Sequence, residues 1–240
     1  MAKHSGKRYK ENVEMVDHDR LYEPQDALDL LKKFKTAKFD ETVEVHMRLN
    51  IDPRQADQQV RERIVMPAGL GQEVRILVFA EGEGARIAEQ AGADIVAGDE
   101  EIAKIEGGWT EFDVAIAVPE MMRKIGKLGR VLGPRNLMPS PKAGTVVPPE
   151  DITRVVEEAR AGAIEFRNDR TGNLHVPIGK MSFTADQLMQ NFSALMESIR
   201  LTKPAALSRT GYIRKLVVTS TMNPGIKINP TTAFDLQAEL

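Results

Sequence analysis

Val74-Arg-Ile-Leu-Val-Phe79 and Asp113-Val-Ala-Ile-Ala-Val118 decide the fold class of this 240-residue chain. Each is a short apolar run rich in β-branched residues, and Pro119 ends the second. Strands that read as unbroken apolar runs are buried on both faces, the habit of a parallel sheet covered by helices. The surrounding sequence supplies those helices: a helical stretch at 85–91, short apolar Ile95-Val-Ala97, then another helical stretch at 100–105. Ile152, Val155, Val156 and Ala159 fall on one face of a further helix over 152–161. The spacing predicts a Rossmann-like α/β domain over residues 68–159.

The flanks have a different period. A helix is expected over 23–34, with Pro24 in its first turn and Ala27, Leu28, Leu31 and Phe34 facing inward. Val43, Val45, Met47, Leu49 and Ile51 alternate with Thr42, Glu44, His46, Arg48 and Asn50, the pattern of a strand with one buried face. Beyond the middle block, Ala163–Arg167 and Leu174–Ile178 suggest a hairpin turning at Thr171-Gly172-Asn173. A helix follows from Thr184, with Gln187 completing a capping box and Leu188, Phe192, Leu195 and Ile199 as its apolar stripe. Leu216–Ser220 is a last strand.

Neither flank is a complete domain, so residues 1–67 and 160–240 are expected to combine into one α+β domain with an antiparallel sheet. The α/β domain is then an insertion, crossed near Pro67-Ala68-Gly69 and Arg160-Ala161-Gly162. Two short small-residue crossings side by side suit a hinge, with Pro67, Gly69 and Gly162 as its candidate residues.

Composition sets outer limits. A hydrophobic fraction of 42% supports a sizeable core, and the absence of cysteine excludes disulfides and thiolate chemistry. The basic start has no apolar stretch behind it and no run is long enough to span a bilayer, so a cytoplasmic protein without membrane association is expected. The net charge is −2, but unevenly spread. Lys and Arg number 13 against 13 Asp and Glu in residues 1–67, 10 against 16 in 68–159, and 10 against 6 in 160–240. A chain this neutral cannot bind nucleic acid by bulk attraction; it needs shape and specific hydrogen bonds.

An enzyme reading fits poorly. After the Val74–Phe79 run, Gly82 and Gly84 match the start of a dinucleotide fingerprint, but Ile87 stands where its third glycine belongs. Glu81 and Glu83 add negative charge where a pyrophosphate would sit. The histidines (His4, His18, His46 and His175) show neither metal-ligand spacing nor a nucleophile pattern. No catalytic residue, cofactor or metal is expected.

Between Met121 and Pro149 stand six basic residues (Arg123, Lys124, Lys127, Arg130, Arg135 and Lys142) and no acidic one. Glycines and prolines rule out one long helix there. Such a segment is either a solvated connection or a phosphate-facing surface. Its wording favours the second. Lys127-Leu-Gly-Arg-Val-Leu-Gly-Pro-Arg-Asn-Leu-Met-Pro-Ser-Pro-Lys-Ala-Gly-Thr145 resembles the most recognisable stretch of the ribosomal protein L-one family, which forms the lateral stalk of the large ribosomal subunit. Lys38–His46, Asn50–Gln58, Gly162–Gly172, Thr202–Pro204 and Ser220–Gly225 resemble further family segments, in order along the whole chain.

The resemblance implies a ribosome-bound, non-enzymatic RNA binder, monomeric when free. In such proteins the split domain grips a folded junction of large-subunit rRNA, the inserted domain faces exit-site tRNA, and the same grip can repress the protein's own operon mRNA. Carried onto this sequence, Thr42, Glu44, Ser220 and Thr221 would hydrogen-bond riboses and bases. A carboxylate such as Glu44 cannot bind phosphate but can accept from a 2′-hydroxyl. Phe39 and Met222 would offer flat or polarizable surfaces, and Lys38, Arg54, Arg167 and Lys203 would contact phosphates, with Asp169 and Asn223 beside them. For Phe39 core packing is an equal alternative, and for Thr42 and Glu44 the alternative is a solvated sheet face. On the inserted domain Arg123, Lys127, Arg130 and Arg135 would face tRNA or, alternatively, help hold the stalk fold. Two departures stand out: Asn223 replaces a usual glycine, though asparagine tolerates positive φ better than other non-glycine residues, and Arg209-Thr210-Gly211 replaces a more usual Lys-Gly.

Overall fold

A computed structural model describes residues 6–204, 207 and 211–236. Arg209 and Thr210 of the departing loop lie outside the described residues, as does the end of the C-terminal tail. In chain order the elements are α1 (Lys7–Glu14), α2 (Pro24–Lys32), β1 (Thr42–Leu49), β2 (Arg61–Val65), β3 (Ile76–Phe79), α3 (Glu83–Gln90), β4 (Ile95–Ala97) and α4 (Asp99–Glu106). There follow β5 (Val114–Ala117), α5 (Met122–Ile125), α6 (Gly129–Leu132), α7 (Ile152–Arg160), β6 (Ala163–Arg167) and β7 (Asn173–Lys180). The chain continues through α8 (Ala185–Leu201), β8 (Ile213–Ser220), β9 (Ile226–Ile228) and α9 (Pro230–Asp235). The fold is mixed α and β, with both antiparallel and parallel sheets.

By packing, the chain divides into two compact units, one formed by residues up to Gly71 together with Glu165 onward, the other by Gln72–Ile164. The first unit is built on an antiparallel sheet of order β7-β1-β8-β9. Alternation along β1 turns Val43, Val45, Met47 and Leu49 into the core and leaves Thr42, Glu44, His46 and Arg48 outward. Helix α8 carries the capping box at Thr184 and Gln187 and buries Leu188, Phe192, Leu195 and Ile199.

In the second unit β3 lies between β4 and β5, all parallel. Leu77 and Phe79 point to one face, where they pack with Ile102 and Ile105 of α4 and with Met121, Ile125, Leu128 and Leu132 of the basic segment. Ile76 and Val78 point to the other, against Ala88 of α3 and Val155, Val156 and Ala159 of α7. The basic segment is therefore a string of short helical turns whose apolar residues roof one face of the parallel sheet.

Two expectations are corrected. Residues 163–167 and 174–178 do not form a hairpin with each other, because β6 pairs with β2 and β7 pairs with β1. Asn168 diverts the chain: its backbone N–H and its side-chain oxygen both bond the backbone of Val60, at 3.0 and 2.7 Å, holding the end of β6 to the start of β2. The packing boundary also falls after Gly71, not after Pro67. Buried Asn191 of α8 accepts from the Ala68 N–H at 2.9 Å and donates to the Gly69 carbonyl at 2.8 Å. The ring of Phe183 lies where a side chain on Gly71 would begin. Gly69 and Gly162, both hinge candidates, have φ of 72° and 95°, a conformation glycine adopts without strain.

Candidate nucleic-acid interface

Where β1 begins, the fully buried carboxylate of Glu41 ties two chain segments together. It accepts from the Ala37 N–H at 2.6 Å, the Ser220 hydroxyl at 2.8 Å, the Met222 N–H at 3.1 Å and the Asn223 side-chain amide at 3.1 Å. Arg8 of α1 approaches it to 3.8 Å. A buried charge persists only when its lone pairs are engaged this fully.

Around this anchor the outward groups line up. Thr42 and Thr221 are joined by the Thr221 N–H to the Thr42 carbonyl at 3.1 Å and by the Thr42 N–H to the Thr221 hydroxyl at 3.0 Å. Lys180 donates to the Thr42 hydroxyl at 2.8 Å. Phe39 and Met222 stand 53% and 50% exposed, too open for core packing. Lys38 is exposed beside them.

Further along β1, Glu44 pairs in register with Thr219 of β8 and Pro177 of β7, and His46 with His175. The two histidine rings meet edge-on with their Nδ1 atoms 2.8 Å apart, and His46 Nε2 lies 3.5 Å from the Glu44 carboxylate. Desolvation lowers the His46 pKa, Glu44 raises it and His175 lowers it, with a net depression.

At the opposite end of the sheet Arg48 pairs with Asn173, next to the turn that Asp169 builds. Desolvation pushes the Asp169 carboxyl up, but bonds from the Asn173 N–H, the Thr171 hydroxyl, the Asn173 amide and the Thr171 N–H hold its pKa down at about 2. Arg167 and Arg54 are exposed on the strand and loop near this end. The six-residue span from Thr42 to Arg48 separates the two ends by about 20 Å at the rise of an extended strand.

Three of the expected contacts are placed differently. Ser220 and Asn223 are 2% and 8% exposed and turn inward to Glu41, so their side chains organise the rim and do not line its surface. Nor does Asn223 adopt positive φ; among the described non-glycine residues only Asn136 does. The Lys203 ammonium is occupied by the Pro204 and Leu207 carbonyls at 3.2 and 2.6 Å, in the segment that follows α8. Sequence reasoning missed Glu41, yet the alternation of β1 carried the signal: Glu41 is in phase with the inward residues Val43, Val45 and Met47.

On the second unit, Lys124 bridges Glu81 and Asp99, and Lys127 meets Glu106 at 2.5 Å. Arg135 donates to the Thr110 hydroxyl. Arg123 and Arg130 are exposed and make no ion pair among the described residues. Arg123, Lys124 and Lys127 line an open groove with Asp99 and Ile102 of α4, so acid from this unit already faces much of its basic segment.

Among the described residues no group of three or more acidic or histidine side chains is placed to hold a metal, and no helix is long and apolar enough to cross a membrane. The profile of the ribosomal protein L1p/L10e family matches residues 31–224, which includes both rim segments and the whole second unit. The chain belongs to that family. It is similar to the large ribosomal subunit protein uL1 of two Chloroflexus aurantiacus strains, J-10-fl and Y-400-fl. Each is 51% identical over 239 residues, covering 99% of this chain and 100% of theirs. As a member of the L1 family it is a ribosomal protein of the large subunit, with RNA binding and translation as its setting.

Proposed function

We propose that this L1-family chain binds a folded junction of large-subunit rRNA through the outward face of its antiparallel sheet. The observation that carries this reading is the rim around Glu41, where Thr42 and Thr221 offer hydroxyls between the exposed Phe39 and Met222. Hydroxyls recognise riboses and base edges, exposed apolar surfaces stack or pack on them, and neither needs net positive charge. Arg54 and Arg167 set register by phosphate contacts at the far end of the face.

The second unit, read as an inserted Rossmann-like domain, faces exit-site tRNA and aids its release, with Arg123 and Arg130 as principal contacts. Gly71 and Gly162, both at positive φ close to the two packing boundaries, support a hinge that lets this domain follow departing tRNA while the split domain stays on rRNA. The same rRNA grip, turned on a similar fold in its own operon mRNA, would repress translation. The protein works in the cytoplasm, on the ribosome, and is a monomer without cofactor when free.

The test is binding to an isolated stalk-junction rRNA across a salt series, with Thr221→Val and Met222→Ala beside the wild type. Each variant is expected to lose about tenfold in affinity, about 1.4 kcal/mol. The salt slope should be shallow, because few phosphates are contacted. Weak binding that collapses with salt and ignores both substitutions would place the site elsewhere.

A further inference from the structure

Behind the rim lies a polar network that reaches the N-terminal helix. Arg8 and Asn12 stand four apart, on one face of α1. Asn12 is fully buried and every polar group of its side chain is used. Its oxygen accepts from the Lys35 N–H at 3.1 Å, and its amide donates to the Lys35 carbonyl at 3.0 Å and to the Asn223 oxygen at 2.7 Å. Asn223 is equally committed, donating to Glu41 at 3.1 Å and to the Ser220 hydroxyl at 2.7 Å. Glu41 in turn fixes the Met222 N–H, and Arg8 faces its other oxygen.

A buried network with every donor and acceptor satisfied holds one geometry, since any displacement strands a polar group away from water. The line from Asn12 through Asn223 and Glu41 ends on the backbone of the turn that carries Thr221 and Met222. A glycine at 223 could not join it, having no side chain. We propose that α1 is a positioning element for RNA binding: Asn12, with Arg8, acts through Asn223 and Glu41 to set the turn that presents Thr221 and Met222 to RNA. This rests on the rRNA reading above and adds to it a helix that lies behind the rim.

The test uses the full chain and the stalk-junction rRNA, measured well below the melting temperature. Four proteins form a cycle: wild type, Asn12→Ala, Met222→Ala and the double variant. Asn12→Ala is expected to weaken binding about fivefold, and the double variant no more than Met222→Ala alone, because residues in one network do not act additively. Asn12→Ala together with Asn223→Gly removes both buried groups, so it leaves no orphan between them. If Asn12→Ala does not fold, that variant, with and without Met222→Ala, serves the same comparison, and its affinity loss should persist. A lower melting temperature with wild-type affinity would reduce Asn12 to a structural residue and overturn the proposal. Losses that simply multiply would overturn it too, since α1 would then act independently of the turn. The two readings also fail separately. If Met222→Ala leaves binding intact, the rRNA face itself is wrong and this inference falls with it; if Met222→Ala weakens binding and Asn12→Ala does not, only the inference falls.

Discussion

The rim around Glu41 and the segment from Arg123 to Arg135 satisfy their charges in opposite ways. At the rim a buried carboxylate is held mainly by hydrogen bonds from backbone, hydroxyl and amide groups. On the second unit exposed cations are held by exposed carboxylates of the same unit. The lesson is that density of positive charge in a sequence does not tell how much of that charge is already offset within the fold. Exposed ion pairs are weak and salt-sensitive, whereas a buried bonded charge fixes geometry regardless of salt.

The sharpest way to break this comparison is to remove Glu41. Glu41→Ala leaves the Met222 N–H, the Ser220 hydroxyl and the Asn223 amide without their acceptor, and it should cost about 3–5 kcal/mol of stability. Urea unfolding would measure it, and the loss should be nearly the same in low and high salt. A loss under about 1 kcal/mol, or one that disappears in salt, would mean the rim is held like any surface pair.

A smaller effect separates the cations of the second unit. Arg123→Glu with Arg130→Glu should reduce crosslinking of departing tRNA to assembled ribosomes severalfold, since these side chains have no ion pair among the described residues to leave. Lys124→Gln with Lys127→Gln should change it less than twofold, because Glu81, Asp99 and Glu106 already offset those charges. Equal losses from the two pairs would show that the internal bridges do not partition the segment.

Much of this was legible in the sequence, for physical reasons that differ by element. The parallel strands were visible because a strand buried on both faces must be apolar throughout, as β3 is. The exposed positions of β1 were visible because alternation has only one solution when one face is core. Strand pairing was not: β6 and β7 are close in sequence and look like a hairpin, yet they join different sheets, with the Asn168 bonds to Val60 at the point where the chain diverges. Strand β2, Arg-Glu-Arg-Ile-Val, carries too much charge to announce itself. At the site, residue type suggested exposure for Ser220 and Asn223, while their inward role depends on Glu41 and on Asn12, more than two hundred positions from Asn223 along the chain. Short-range pattern cannot report a bond of that separation.

The smallest effect is expected at Asp169, which extends the comparison to an exposed carboxylate held by hydrogen bonds alone. Its pKa is about 2 in the folded chain, against about 3.9 for an unperturbed aspartate. A depressed carboxyl stabilises the fold fully above the unfolded value, and that stabilisation is lost as pH falls through the folded one. The contribution should therefore be intact at pH 5 and disappear between about pH 4 and pH 2. Because the residue is exposed, solvent screening limits it to about 0.5–1 kcal/mol. Asp169→Asn should lower the melting temperature at pH 7 by a few degrees and converge with the wild type near pH 2. Since donors from Thr171 and Asn173 hold this charge, the gap at pH 7 should survive added salt. A gap that closes in salt would instead assign the depression to surrounding cations such as Arg167 and Arg170, and would erase the distinction between the two ways of holding charge at this end of the sheet.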